Sequence, residues 1–371
     1  MARKQPLTQS GRVVVLEHRS SVLADNPLGD PHERRLAVWL PPEYDRNPRR
    51  RFPVLYELAG FTGSGLGRLN WKPFSENVVE RAARLIRERR MGPVILVFPD
   101  CFTALGGNQY INSSAIGRYA DYLTQELVPF VDREFRTLAA REYRGCFGKS
   151  SGPYGALNHG MKYARCWGAV ASHSGDAGFD VVYRSDWPNT LAELARYRKP
   201  PLRAGRYRLP RIEQLDQGLD DGRVRRFLES VWSRDKLSGA EVHALMNVCM
   251  AATYDPDPNA PLGFRVPFNL ETGEPLEGRW RRWQAHDPVY LVSRHARNLK
   301  TLRGLFIDCG WRDQYHIHYG NRRLARRLEE AGVPHVYEEF DDTHSDIDYR
   351  LDRSLPFLYR ALMGSSGRTS P

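Results

Sequence analysis

Cysteine is scarce in this 371-residue chain, and the few present form no pattern. The five residues Cys101, Cys146, Cys166, Cys249 and Cys309 are far apart, odd in number and without any C-x-x-C pair. That excludes a disulfide framework and a zinc site built on cysteine. Several lie inside apolar runs, where a thiol behaves as a small hydrophobe. Long apolar runs are missing as well: none approaches the roughly 18 residues that mark a membrane span. Met1 to Ser10 is polar and lacks the apolar stretch of about 7–15 residues found in signal peptides. The expectation is a cytoplasmic protein without a membrane partner. Basic blocks are absent too, although the formal net charge is +11. The 55 Lys and Arg residues are interspersed with 44 Asp and Glu, and the densest groups, Arg49-Arg50-Arg51 and Arg279 to Arg282, are short. A nucleic-acid binder concentrates its basic residues and interleaves aromatics. No nucleic-acid partner is expected.

What is present is an ordinary globular composition, 41% hydrophobic and 11% aromatic, with enough apolar residues for a real core. Val13 to Leu16, Arg35 to Leu40 and Pro53 to Leu58 read as strands. A helix over about Phe74 to Arg90 places Val78, Val79, Ala82, Leu85 and Ile86 on one face. Pro93 to Phe98 is a nearly continuous apolar run, which suits a parallel strand covered on both faces. A second helix spans about Ile116 to Phe135. The strand Tyr143 to Phe147 leads through a Gly/Ser turn into a helix from Ser151, and Cys166 to Ala171 is a further buried strand.

From Ala177 to Arg282 this rhythm breaks into a stretch rich in proline, arginine and exposed-looking tryptophan. It then resumes with a helix from Asp287-Pro288, a strand Gly304 to Asp308 and a helix Tyr315 to Ala331. The strand His335 to Glu339 and a helix from Ile347 to Leu362 complete the series. Strands alternating with helices imply an α/β class fold with a doubly wound, mostly parallel sheet. The domain reading is a core over 1–176, a large cap insertion over 177–282, the rest of the core over 283–363 and a disordered tail over 364–371. Self-association into a homo-oligomer stays open.

The sharpest motif is Gly148-Lys149-Ser150-Ser151-Gly152, a G-x-S-x-G match between an apolar strand and a helix. In a nucleophile elbow the serine occupies a strained strand-to-helix turn, and flanking glycines relieve crowding there. The helix N-terminus adds positive potential where an oxyanion forms. An elbow serine requires an acid and then a histidine further along the chain. Asp313 and His344 stand in that order, each in a loop after a strand, and in open parallel sheets such carboxyl ends form the functional edge. Asp308 competes as the acid, but it lies at a strand end, and Asp313 has the longer loop. His335 begins a strand and belongs to the opposite edge.

The oxyanion donors expected from this arrangement are the backbone N–H of Ser151 and, from the loop after the third strand, that of Phe61, with Gly60 beside it. His173 and Asp176 follow another strand and are candidates to line the pocket, or to cap the start of the insertion. His316 and His318 form an H-x-H pair, but in a helix i and i+2 point to different faces. No metal and no organic cofactor is expected.

These residues resemble the esterase branch of the α/β-hydrolases that includes esterase D (S-formylglutathione hydrolase), enterochelin esterases and feruloyl esterases. The resemblance rests on Asn26 to Pro31, Val38 to Tyr44, Pro99-Asp100 and Tyr119 to Thr137, and runs to the terminal helix without the insertion. It implies the α/β-hydrolase fold, and makes Asn108, Gln109 and Tyr110, within Gly106 to Ser113, part of a segment bordering the active site. Ile307-Asp308 followed by Asp313-Gln314-Tyr315 is similar to the esterase D acid loop. Two departures stand out: Lys149 precedes the serine, and the loop after Gly60 lacks the esterase D cysteine, which disfavours S-formylglutathione as substrate.

The expected activity is hydrolysis of a small carboxylic ester through Ser150, His344 and Asp313 and an acyl-enzyme. The rival within enzymes is acyl transfer to an alcohol or sugar, as in mycolyltransferases of the same superfamily. A non-catalytic binding protein on this fold is the rival of another class. Trp187, Tyr197, Arg203, Arg206, Tyr207, Arg208 and Trp232 of the insertion either favour an acidic or aromatic ester or form a solvated basic surface.

Overall fold

A computed structural model describes residues 11–199 and 220–364. Arg203, Arg206, Tyr207, Arg208, the first ten residues and the tail beyond Gly364 lie outside the described residues. Eight strands form the central sheet: β1 (Arg12–Arg19), β2 (Glu33–Leu40), β3 (Val54–Leu58), β4 (Ile95–Phe98), β5 (Arg144–Lys149), β6 (Ala169–His173), β7 (Gly304–Gly310) and β8 (Val336–Phe340). Their order is β1-β2-β4-β3-β5-β6-β7-β8. β2 pairs antiparallel with β1 and with β4, and every other neighbour is parallel.

Burial follows position in the sheet. Every residue of β3, β4 and β6 is buried, whereas the edge strand β1 alternates between exposed and half-buried residues. Apolar side chains on both faces are what central parallel strands require. The period of two splits them between two cores: Leu55, Leu96, Phe147 and Ala171 on one face, Val54, Tyr56, Val97, Cys146 and Val170 on the other.

The longer helices are α1 (Val78–Arg87), α2 (Ser151–Lys162), α3 (Trp187–Ala195), α4 (Arg223–Trp232), α5 (Gly239–Tyr254), α6 (Glu277–Gln284), α7 (Pro288–Leu299), α8 (Ile317–Glu330) and α9 (Leu351–Met363). α1 and α9 cover the first core, while α2, α7 and α8 cover the second. α1 starts later than its apolar pattern predicts because Asn77 and Glu80 form a reciprocal capping box, which satisfies two backbone donors at that point. No described helix is long and apolar enough to cross a membrane.

The insertion between β6 and β7 is helical and joins the second core. Its tryptophans differ from the sequence reading: Trp187, Trp280 and Trp283 are buried, and Trp232 alone among these four is half exposed. The buried indoles pack against aromatic neighbours, with Trp187 and Trp280 edge-to-face at 5.0 Å and Tyr254 and Trp283 at 5.6 Å. Several of the insertion's described arginines are paired with its own carboxylates. Buried Asp255 receives Arg279 at 2.7 Å and also binds Arg282. Trp187 is thus a packing residue and not a substrate contact.

Register aligns the ends of the central strands. Leu58 lies opposite Gly148, His173 opposite Lys149 and opposite Asp308, and Gly310 opposite Phe340. The loops that follow β3, β5, β6, β7 and β8 therefore emerge at one edge, and Gly60, Phe61, Ser150, Ser151, Asp176, Asp313 and His344 lie at it.

Candidate active site

Ser150 links β5 to α2 with φ 70° and ψ −118°. A non-glycine residue with positive φ is strained, and such strain persists only where the surroundings enforce it. β3 supplies that enforcement. A Cβ on Gly152 would lie 1.8 Å from the carbonyl oxygen of Leu58, and one on Gly148 would lie 2.3 Å from the same atom. Only glycine at both positions lets the turn press against β3. The Ser150 N–H donates to the carbonyl of His173 at 3.1 Å, which fixes the Ser150 backbone from the other side.

His344 and Ser150 line one cavity of about 270 Å³. Nδ1 of His344 is 2.8 Å from Oδ2 of Asp313, and both side chains are buried. Asp313 is oriented in turn: its Oδ1 accepts the backbone N–H of Tyr315 at 2.9 Å. The His344 N–H donates to Oε1 of Gln314 at 2.9 Å, and its ring meets Tyr315 edge-on at 4.8 Å. Asp313 and Tyr315 thus hold the imidazole, and Gln314 holds the His344 backbone.

A second buried Asp–His pair stands nearby. Nδ1 of His173 is 2.6 Å from Oδ1 of Asp308, its Nε2 is 2.7 Å from the Ser354 hydroxyl, and Arg350 donates to Asp308 Oδ2 at 2.8 Å. This network faces α9 and does not line the cavity. His173 is therefore corrected from pocket candidate to core residue: both ring nitrogens are taken, and only its backbone carbonyl reaches Ser150. Asp308 is committed to His173 and Arg350, so the geometry leaves Asp313 as the carboxylate on His344.

Gly60 and Phe61 line the cavity directly after β3. A Cβ on Gly60 would sit 3.4 Å from Cβ and 3.9 Å from Oγ of Ser150, so this glycine keeps the approach to the nucleophile open. Ser151 is the first residue of α2, where backbone N–H groups have no partner within the helix. The carbonyl of Phe61 accepts the Gly107 N–H at 2.8 Å, and the Tyr110 hydroxyl donates to the carbonyl of Ala59 at 2.8 Å. Asn108 bridges Cys101 and the Tyr110 amide at 2.7 and 2.8 Å. Asn108, Gln109 and Tyr110 do not line the cavity. They stand behind it and brace the loop that does, with Gln109 and Tyr110 both at φ 57°.

Asp176 does line the cavity. Its Oδ2 accepts from Gln109 Nε2 and from the Tyr183 hydroxyl, each at 2.8 Å, and burial pushes its carboxyl up from the usual range. The remaining wall is of two kinds. On one side are Glu57, Arg68 and Lys149; on the other Val182, Val242 and Met246 arrive from the insertion, beside Ile317. His243, from α5, also faces in, and its bond to Asp186 raises its pKa. Sequence reading missed Glu57, Arg68 and the insertion residues as wall, because no spacing relates them to the elbow. Lys149 was visible as an oddity only. His316 sits just before α8 and His318 within its first turn. Among the described residues no group of three or more His, Cys, Asp or Glu side chains is placed to hold a metal ion.

Comparisons with known proteins show the family and the fold. A family model named Esterase matches residues 31–352. Two curated Mycobacterium tuberculosis proteins, Esterase Rv1288 and Esterase MT1326, are each 33% identical over 147 residues, covering 38% of this chain and 28% of theirs. The match thus spans well under half of either relative. A solved ferulic acid esterase superposes with TM-score 0.57 at 18% identity, over 96% of this chain and 100% of that one. An S-formylglutathione hydrolase from Agrobacterium tumefaciens gives TM-score 0.53 at 16% identity, over 97% and 99%. A fluorophosphonate-binding serine hydrolase of Staphylococcus aureus, FphF, gives 0.53 at 15%, over 94% and 99%. At such identities the shared property is the fold, that of the α/β-hydrolases.

Proposed function

The chain belongs to the Esterase family, and from that premise we propose that it hydrolyses carboxylic esters with Ser150 as nucleophile, His344 as base and Asp313 as orienting acid. The observation that carries this reading is the strained Ser150 sharing a cavity with a histidine whose Nδ1 is held by a buried carboxylate. With Nδ1 engaged, Nε2 is the nitrogen left to take the serine proton. Oγ attacks the ester carbonyl, and the oxyanion is met by the amides of Phe61 and Ser151. Two such donors lower the barrier by several kcal/mol because they are already oriented. His344 then protonates the departing alcohol, leaving an acyl-enzyme. The same imidazole activates water, which releases the acid.

The test is a panel of p-nitrophenyl, feruloyl and glyceryl esters run beside Ser150→Ala, together with fluorophosphonate labelling. Labelling that disappears in Ser150→Ala, with hydrolysis of at least one ester class, is the expected result. A wild-type protein that neither labels nor exceeds the variant's background on any ester sinks the reading.

A further inference from the structure

Lys149 is the residue of the elbow pentapeptide that the mechanism above leaves unused. It ends β5 directly before Ser150 and lines the same cavity. Neighbouring Cα atoms are about 3.8 Å apart, so its ammonium group is tethered beside the reacting centre. Two other cations stand near it, Arg68 in the same wall and Lys72 beyond it, and both are engaged. Arg68 donates to Glu57 at 2.6 Å and to Asp348 at 3.0 Å, and Lys72 donates to Asp348 at 2.8 Å. The Lys149 side chain has no hydrogen bond or ion pair among the described residues.

Charged groups act on it from a distance only. Asp348 and Asp346 attract it, while Arg68 and Lys72 repel it. Asp348 is already shared by two cations, and Asp346 lies exposed in water. Lys149 itself is half-buried, and that burial pulls its pKa down. A cation withdrawn from water without a counter-ion is costly. An uncharged side chain would avoid that cost, so a cation here points to an anion that arrives with the ligand. The cavity of about 270 Å³ is at the small end of ligand sites, which run from about 300 to 1,000 Å³. It favours a compact substrate, with the Val182, Val242 and Met246 wall left for an apolar portion.

Resting on the esterase reading, we propose that Lys149 is a specificity residue selecting esters that carry a carboxylate close to the scissile carbonyl, the half-esters of short dicarboxylic acids being the simplest class. The ammonium pairs with the free carboxylate while the carbonyl lies between Ser150 Oγ and the Phe61 and Ser151 amides.

The experiment compares kcat/KM for monoethyl succinate and for the uncharged ethyl pentanoate, by pH-stat titration at low salt. Wild type is expected to favour the anionic ester by about ten-fold or more, the scale of one charge-assisted hydrogen bond. The preference should vanish in Lys149→Met through a raised KM, survive in Lys149→Arg and reverse in Lys149→Glu. Thermal unfolding of each variant reports whether it folds, and Lys149→Arg decides if Lys149→Met does not. Equal preference in the wild type, or equal loss on both esters in Lys149→Met, overturns the proposal. Should the ester panel fail altogether, the esterase reading falls separately. Calorimetry of monoethyl succinate on the Ser150→Ala protein, with and without Lys149→Met, then decides the binding site alone. Lys149-dependent binding supports it, and its absence overturns it.

Discussion

The aspartates of two buried Asp–His pairs, Asp308 and Asp313, lie five residues apart on the same strand-and-loop segment, and the esterase mechanism assigns them different work. Asparagine in place of each aspartate separates them. Asp313 touches His344 at 2.8 Å and little else with a charge. Asp313→Asn keeps the shape but reverses the preferred hydrogen bond to Nδ1, leaving the wrong tautomer. In serine hydrolases that change costs about 10⁴ in kcat, so a loss of about 10³–10⁴ is expected here. Asp308 instead receives His173 at 2.6 Å and Arg350 at 2.8 Å while fully buried. Removing its charge breaks a buried pair, worth about 3–5 kcal/mol, though Arg350 keeps Glu338 at 2.5 Å, so about 3 kcal/mol is the expected loss. With an unfolding entropy of about 2.1 cal/mol/K per residue, a chain of 371 residues loses roughly 4 °C in Tm. Activity in Asp308→Asn should stay within about ten-fold, since His173 reaches Ser150 only through its backbone. Steady-state kinetics on a p-nitrophenyl ester and differential scanning calorimetry read the two effects. An inactive Asp308→Asn that keeps its Tm, beside an active Asp313→Asn, would refute the assignment of the acid.

Gly60→Ala places a methyl 3.4 Å from Ser150 Cβ and 3.1 Å from the Lys149 carbonyl. It should lower kcat/KM at least ten-fold with a Tm change of at most about 1 °C, since it crowds the nucleophile and not the core; unaltered kinetics would show that the approach to Ser150 runs elsewhere. Tyr110→Phe removes the 2.8 Å bond to Ala59, and a stability loss of about 1 kcal/mol with a fall in kcat is expected by denaturant titration and kinetics. His159 accepts the Trp167 N–H on Nδ1 at 3.2 Å and meets the Tyr110 carbonyl through Nε2 at 2.8 Å, a pattern only the neutral ring satisfies. Burial pushes His159 and His286 each down to about 4. Both pKa values lie below the unfolded value, so the unfolded chain binds more protons between them. Stability therefore falls as pH drops from about 6.5 towards 4, with these two rings contributing up to about 2.7 kcal/mol per pH unit. Urea titrations across that window giving a flat stability would contradict the burial argument.

Much of the site was legible because its chemistry is tied to chain order. The elbow glycines announce themselves: Gly148 and Gly152 are demanded by a backbone contact with Leu58, and such contacts leave a sequence trace. Asp313 and His344 follow from the order of strands and loops. The sheet was legible for a similar reason, since strands buried on both faces read as unbroken apolar runs. His173 misled because a histidine after a strand looks the same whether it turns to the cavity or to α9; the partners that decide it, Asp308 and Ser354, are far along the chain. Asn108 to Tyr110, expected as pocket residues, do not line the cavity but brace the loop that does.

The insertion was the least legible part, and its physics explains why. Its helices α3 and α6 are short and aromatic, and α5 is apolar nearly all round, which hides the period, and arginines beside tryptophans read as surface. In the fold arginines there neutralise buried carboxylates such as Asp255, and the indole of Trp283 packs on Tyr183 and Tyr254, which in turn meet Phe179. Tyr254 also meets Tyr154 of α2 at 5.7 Å, within the helix that begins at the nucleophile. Insertion and catalytic core thus share one hydrophobic cluster. A segment buried this way is not a detachable lid: its Val182, Val242, His243 and Met246 form a wall of the cavity because the same packing that stabilises the core holds them there. Substrate choice is consequently coupled, on the esterase reading, to core packing on that side, while the proposed selection by charge rests on Lys149, whose ammonium group has no ion pair among the described residues.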